Sequence, residues 1–356
     1  MRKIVLTTGG TGGHIYPALA IAKELVSKEI EPIFIGTKHR MERDIIPKEG
    51  YRFEGLDVLP LKSIKSVVKM VRAVKKSYNI LKKEEVEAVI GFGNYISVPA
   101  LTAALILRKK IYLQEQNVKM GFANKIFYRF ADKTFVSFDE TFEEIGLKYH
   151  DRITAAGNPL REDFFRTNRK EERERLKIEK DEKMVLVIGG SLGAKSINDA
   201  VMKNMDTFFD EKKVRLYWAT GKDNYQQVNE NVGKIKNNDI IRPYFENIPA
   251  LMAAADVVVC RAGASTISEL IEMERAAILI PYDFVGQKEN AMVMVKNGSA
   301  MLFEDSKAEA AFNTMFELIK DDEKLREMSY RAKSIKKGNA VKKIVDELDI
   351  WRMQTR

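Results

Sequence analysis

KIVLTTGGTGGHIYPALAIAKELVSK, residues 3–28, decides the fold. Lys3 to Thr8 carries Ile4, Val5 and Leu6 as an unbroken apolar run, which predicts a strand buried on both faces. Gly9 to His14 reads as a turn, and Tyr16 to Lys28 as an amphipathic helix. Strand, glycine turn and helix in that order open a doubly wound α/β sheet. The alternation continues with Pro32 to Gly36, Ala88 to Gly91, Lys110 to Gln114 and Lys133 to Ser137 as strands, separated by stretches long enough for crossover helices.

A polar, charge-dense stretch from Arg166 to Lys183 ends this pattern, and Met184 to Ile188 followed by Gly189-Gly190-Ser191 begins it again. Val214 to Ala219, Ile240 to Pro243, Asp256 to Cys260 and Ala277 to Pro281 are the later strand candidates. A chain of 356 residues with 45% hydrophobic content suits two domains of about 150 to 180 residues with a cleft between them. The expected bounds are 1–160 and 161–340. A short amphipathic helix, Val341 to Trp351, lies in the tail 341–356 and is free to return to the first domain.

Composition removes several function classes. No window approaches the roughly 20 apolar residues of a spanning helix, and Met-Arg-Lys runs directly into a strand, so an unprocessed cytoplasmic chain is expected. One cysteine, Cys260, and three scattered histidines, His14, His39 and His150, argue against disulfides and zinc. Up to Asn158 there are 26 Lys+Arg against 18 Asp+Glu, and beyond it 34 against 33, so the excess of positive charge sits in front. Val58 to Lys83 holds eight basic residues (Lys62, Lys65, Lys69, Arg72, Lys75, Lys76, Lys82, Lys83) and no acid, which points to an anionic surface.

Phosphate is held by backbone N–H groups at helix starts, where peptide dipoles favour negative charge and glycine allows close approach. Gly9 to His14, Gly189 to Ala194 and Arg261 to Thr266 each follow a strand and open a helix. A glycine needed only for turn geometry explains any one of them equally well. A dinucleotide fingerprint fails because Ile15 occupies its third glycine position, and the strand that should end in an acid ends Ile35-Gly36-Thr37. Gly189 to Ser196 approaches a P-loop but has Ala194 in place of the second glycine.

Taken together, GGTGGH (9–14), GFGNYISVP (91–99), EQN (115–117), FANK (122–125), GNPLR (157–161), GGSLGA (189–194), CRAGASTISEL (260–270) and QKENA (287–291) resemble the MurG family of GT-B glycosyltransferases. The resemblance runs from Gly9 to about Asn290. It implies two Rossmann-like doubly wound parallel-sheet domains facing a deep cleft. It also implies transfer of GlcNAc from UDP-GlcNAc to the C4 hydroxyl of lipid-linked MurNAc-pentapeptide (lipid I), giving lipid II with inversion. Asn94 and Val98 stand where the family has glycines, Gln114 where it has a histidine, and Gly286 where it has a polar residue. Gly286 bears on a sugar contact, and Asn94 with Val98 on the acceptor side.

An inverting transfer needs a base, donors for the leaving diphosphate and groups that hold the sugar. His14 is the first candidate base, because an imidazole titrates close enough to neutrality to act there; its structural alternative is helix capping or packing. Glu115, just beyond a strand's carboxyl end, is the rival, with a plain structural hydrogen bond as its alternative. By resemblance, Thr11, Gly12 and Gly13 line the donor sugar, Asn117 bonds GlcNAc and Tyr95 faces the acceptor. Arg161 and Ser191 contact the nucleotide, a surface ion pair being the alternative for Arg161. The helix start at Ala264, Ser265, Thr266, Ile267 and Ser268 would take the α-phosphate, and Glu269 the ribose hydroxyls. Thr266 to Glu269 also reads as a capping box. Phe245 matches the position whose main chain reads uracil, and Gln287 and Asn290 would hold GlcNAc hydroxyls or simply begin a helix.

Many nucleotide-sugar transferases use a divalent metal on an Asp-x-Asp motif, and the chain has none, so metal-independent chemistry without a cofactor is expected. Leu59 to Leu81 mixes Ile64, Val67, Val68, Val71, Val74, Tyr78 and Leu81 with its lysines at near-helical spacing, as a helix docking on an anionic inner membrane surface would. A solvated helix with an ordinary buried stripe is the alternative. Other readings are a different GT-B enzyme such as a diglycosyl-diacylglycerol synthase, against which the EQN and GFGNY segments argue, and a nucleic-acid binder, for which no aromatic-rich basic strand or zinc spacing is present.

Overall fold

The strand at the start of the chain, β1 (Arg2–Thr7), sends Ile4 and Leu6 into one apolar cluster and Val5 into another, so it is buried on both sides. That is the environment an unbroken apolar run demands. The computed structural model describes residues 2–60, 63–190, 193–233, 235–236, 239–282 and 286–348. It divides into two units, one running to Arg161 and resuming at Lys337, the other Glu162–Lys336.

The first unit is a seven-stranded parallel sheet in the order β3-β2-β1-β4-β5-β6-β7, with β2 Ile30–Thr37, β3 Arg52–Leu56, β4 Ala88–Gly91, β5 Lys110–Glu115, β6 Lys133–Val136 and β7 Ile153–Ala155. Two of these strands escape the sequence reading for a physical reason. β3 is an edge strand exposed at Arg52 and only half-buried before Leu56, and β7 spans three residues, so neither carries a solid apolar run. Helix Ala340–Asp346 packs on α1 (Gly12–Ser27), contributing Ile344 and Val345 to the cluster around Leu6 and Phe34. Glu347 fastens this return to the sheet through Lys133 (2.6 Å) and Thr154 Oγ1 (2.9 Å). Beyond Leu348 the expected helix lies outside the described residues.

α1 begins at Gly12, a turn earlier than the sequence suggested, with Thr11 extended at φ −141° as its N-cap. His14 therefore sits in the first helical turn and not in a loop. α3 (Ile64–Lys83), capped reciprocally by Ser63 and Ser66, inverts the usual pattern. Its buried stripe is Ser66, Met70, Ala73, Ser77 and Leu81, while Ile64 (86% exposed), Val67, Val68 and Val71 face outward. Leu61 and Lys62 lie outside the described residues.

The second unit is a six-stranded parallel sheet, β10-β9-β8-β11-β12-β13, with β8 Lys183–Ile188, β9 Val214–Ala219, β10 Ile240–Arg242, β11 Val257–Cys260, β12 Ala276–Leu279 and β13 Ala300–Leu302. The charged stretch after Arg166 is not merely a break in the pattern. It holds helix Arg169–Arg175, and Arg169 (2.6 Å) and Arg173 (2.9 Å) both pair with Asp256 at the foot of β11. Burial pushes the Arg169 guanidinium below its ordinary range, although Asp256 opposes this. Among the described residues no helix is long and apolar enough to cross a membrane.

Candidate active site

In the first unit, three loops at the carboxyl ends of β1, β4 and β5 converge on His14. Its Nδ1 lies 2.8 Å from Gln116 Oε1, and its main-chain oxygen accepts from Thr8 Oγ1 at 2.7 Å. Gly93 follows β4 at φ +80°, and a Cβ there would come within 3.8 Å of the imidazole Cε1.

Glu115 ends β5 and is 1% exposed. Its Oε1 accepts from Asn117 N (3.0 Å) and Asn117 Nδ2 (3.3 Å), its Oε2 from Gly121 N (2.8 Å) and Asn124 Nδ2 (3.0 Å). Four donors use up the acceptor capacity of one carboxylate. The group is thus built as the bracket of the loop between β5 and helix Phe122–Phe127. Asn117 is held in that bracket, its main-chain oxygen accepting from Thr141 Oγ1 at 3.2 Å.

The Gly9-Gly10 turn is not a vacant phosphate cradle. Glu42, fully buried on α2 (Glu42–Lys48), accepts from Gly10 N (3.0 Å), Thr37 N (3.0 Å) and Thr37 Oγ1 (2.8 Å). A Cβ on Gly9 would lie 2.4 Å from the same carboxylate, so glycine is needed there because an acid already fills the space. Thr11 is exposed, Gly12 and Gly13 are half-buried at the start of α1, and Tyr95 is half-buried against the core. Arg161 lies over the Tyr16 ring, 6.0 Å from its centroid.

Asn94, the departure from glycine beside Tyr95, adopts φ 68° and ψ 156°. That region is essentially confined to glycine and costs a side-chain-bearing residue on the order of 1–3 kcal/mol. Its amide lies 3.5 Å from Gly9 O, too long to recover the strain. Asn94→Gly is expected to raise the unfolding free energy by about 1 kcal/mol after the added entropy of the unfolded chain is subtracted. Urea denaturation measures this, and an unchanged or lower value would contradict the strain.

In the second unit, β8 leads through Gly189 and Gly190 to helix Lys195–Lys203. Ser191 lies outside the described residues. Gly193, at φ +84°, approaches Thr220 so closely that a Cβ would stand 2.1 Å from its carbonyl oxygen. The P-loop reading fails on the side chains. Lys195 pairs along its own exposed face with Asp199 (2.6 Å), and Ser196 Oγ bonds Asp305 (2.5 Å) while accepting from Arg261 Nη2 (2.9 Å). Buried Arg261 also donates to Ile280 O (2.9 Å) and stacks on Tyr282 at 3.8 Å, tying together the loops after β8, β11 and β12.

Helix Ala264–Glu272 follows β11 with Gly263 as N-cap and no side-chain cap. Thr266 therefore belongs to the first turn, so Thr266 to Glu269 is not a capping box. The Ser265 hydroxyl is buried without a hydrogen-bond partner, and the first-turn amides of such a helix have no carbonyls to bond. Ile267 is buried, Ser268 Oγ donates to Ala264 O (2.9 Å), and Glu269 lies in the second turn. Gln287 opens helix Gln287–Asn297 behind left-handed Gly286, its Oε1 accepting from Tyr282 N at 3.1 Å. Asn290 is fully buried and 3.4 Å from Ala262 O. Phe245 packs its ring near Tyr217 (6.2 Å) beside a groove of about 520 Å³. Among the described residues no three His, Cys, Asp or Glu side chains are grouped so as to hold a metal.

Sequence reasoning missed Glu42, Gln116, Asn124 and Arg261. Gln116 stands between two residues already singled out, and Asn124 and Arg261 lie inside quoted motifs without a role of their own; Glu42 carried no local signal. The contacts that give Glu42, Asn124 and Arg261 their roles span 32, 9 and 65 residues.

Two parallel-sheet units with glycine turns at their strand ends have the GT-B architecture, and the family to which the chain belongs makes it a glycosyltransferase. Residues 4–136 match the glycosyltransferase family 28 N-terminal domain and residues 184–348 the family 28 C-terminal domain. The chain belongs to the MurG family. A UDP-N-acetylglucosamine--N-acetylmuramyl-(pentapeptide) pyrophosphoryl-undecaprenol N-acetylglucosamine transferase of Fusobacterium nucleatum is 48% identical to it over 354 residues, covering 99% of each chain. The enzyme of the same name from Halothermothrix orenii is 35% identical, covering 94% of this chain and 95% of its own. The crystal structure of Acinetobacter baumannii MurG shares the fold, with TM-score 0.79 at 24% identity over 97% of this chain and 99% of that one.

Proposed function

We propose that this chain moves N-acetylglucosamine from UDP-N-acetylglucosamine to the C4 hydroxyl of N-acetylmuramyl-pentapeptide on undecaprenyl diphosphate, lipid I, and so forms lipid II for peptidoglycan, with inversion. The observation that carries this reading is the uncapped start of helix Ala264–Glu272 with the unpartnered hydroxyl of Ser265. A helix start bears about half a positive charge, so it replaces a cation beside a diphosphate.

In this reading Ala264, Ser265, Thr266, Ile267 and Ser268 form the turn around the α-phosphate, and Glu269 takes the ribose hydroxyls. The main chain at Phe245 reads uracil, and Arg161 and Ser191 complete the nucleotide contacts. Gln287, Asn117 and the Thr11-Gly12-Gly13 turn hold the sugar, with Asn290 fixing the turn at Ala262 from behind. His14 Nε2 removes the proton of the acceptor C4 hydroxyl. The oxygen then attacks the anomeric carbon opposite the diphosphate, and the C1–O bond breaks with its electrons leaving on UDP. Glu115 holds the loop that presents Asn117, and Tyr95 faces the acceptor.

Calorimetry with UDP tests the nucleotide half. Ser265→Ala is expected to weaken binding by roughly tenfold, the worth of one hydrogen bond to a charged oxygen, and EDTA to leave it unchanged. Equal affinity in the variant would remove Ser265 from the site.

The acceptor resides in a membrane, and α3 supplies a face for one. Ile64, Val67, Val68 and Val71 are exposed beside Lys65, Arg72 and Lys75, none of which has an acidic partner among the described residues; Lys69 and Lys76 are engaged by Asp57 and Glu54. Each free cation contributes about 1 kcal/mol near an anionic leaflet, which gives reversible docking at the cytoplasmic face. Lys65, Arg72 and Lys75 changed together to glutamate should abolish flotation with phosphatidylglycerol vesicles. Unaltered flotation would clear α3 of the role.

A further inference from the structure

A histidine base works only if the nitrogen facing the substrate carries a lone pair, and in a neutral imidazole the partner of the other nitrogen decides this. In the first unit that partner is Gln116, 2% exposed, with its Oε1 2.8 Å from His14 Nδ1. The orientation of its amide is fixed by what surrounds Nε2: Phe92 O at 3.2 Å, Gln114 O at 3.3 Å and Gln114 Oε1. All three are carbonyl oxygens, which accept only, so the amide nitrogen belongs on that side and the amide oxygen faces the histidine.

Gln114 is oriented in turn. Ser137 Oγ donates to Glu115 O at 2.9 Å, so its oxygen is left to accept from Gln114 Nε2 at 3.2 Å, which directs Gln114 Oε1 back toward Gln116. Gln114 is fully buried and no bulk water competes for these bonds. Each direction is dictated by a main-chain carbonyl that cannot reverse.

We infer that Gln116, held by Gln114 and Ser137, is a positioning residue that fixes neutral His14 as the Nδ1–H tautomer and leaves Nε2 bare to take the acceptor's proton. Nε2 has no hydrogen-bond partner among the described residues. The catalytic consequence rests on the reading of His14 as base, whereas the tautomer itself does not.

The test is nitrogen NMR of protein labelled at the histidine ring nitrogens, with His14 identified by the signal lost in His14→Gln and spectra taken where the ring is neutral. Wild type should show Nδ1 protonated and Nε2 bare. Gln116→Met keeps the volume but removes the acceptor, and should shift the ring toward the Nε2–H form that an unconstrained histidine side chain favours. Gln116→Glu presents an accepting oxygen in either protonation state and should restore the wild-type form. In turnover, the methionine variant should lose roughly tenfold to a hundredfold in kcat, the usual scale for a partner that orients a histidine, with the KM for UDP-N-acetylglucosamine unchanged. An Nε2–H ring in wild type, or an unaltered ring in Gln116→Met, would overturn the inference. Ring signals as stated together with full turnover in His14→Ala would keep the tautomer assignment and remove the base assignment, so the two failures are distinct.

Discussion

Replacing His14 with alanine is expected to lower kcat by about a hundredfold to ten-thousandfold, the range of a positioned general base, while UDP binds as in wild type. The second half follows from the first unit's plan. His14 sits in the first turn of α1, and among the described residues its side chain bonds Gln116 of the same unit. The groups assigned to the nucleotide other than Arg161 belong to Glu162–Lys336. Single-turnover kinetics alongside UDP calorimetry separates the two effects. Near-normal turnover would clear His14 of proton transfer.

Glu115→Gln should behave oppositely, losing stability more than chemistry. The carboxylate meets four N–H donors at 1% exposure, and an amide would turn its own donors onto Gly121 N or Asn124 Nδ2. Leaving buried donors unsatisfied around a lost charge costs roughly 3 kcal/mol, which a urea midpoint resolves. Turnover of the folded variant should fall by only about tenfold, since the proposed base His14 is untouched and the loop is merely loosened. A full collapse of turnover at unchanged stability would instead make Glu115 the base.

These two residues show how much of the site the sequence revealed and where it stopped. The buried strands were legible because a parallel sheet covered on both faces needs apolar runs such as Ile4-Val5-Leu6 and Val257-Val258-Val259. Edge strands β3 and β7 lack such runs and were not visible. His14 and Glu115 could be singled out as rivals by chemistry, and their hydrogen bonding differs: among the described residues His14 Nε2 has no partner, whereas Glu115 accepts from four donors. The Gly9-Gly10 turn misled for a related reason, because the carboxylate occupying it comes from Glu42 on another element. In α3, helical spacing of apolar residues did not reveal which side faced inward. The small residues Ser66, Ala73 and Ser77 allow close packing and turn Ile64, Val67 and Val71 outward.

The central claim is that helix starts and a histidine together transfer the sugar without help from a bound cation. Incubating the purified protein with radiolabelled UDP-N-acetylglucosamine and lipid I in the presence of EDTA tests it most directly. Labelled lipid II at the rate seen without chelator is the predicted result. No labelled lipid under either condition would contradict the transfer itself, and product that vanishes only with EDTA would contradict the replacement of a metal by helix dipoles.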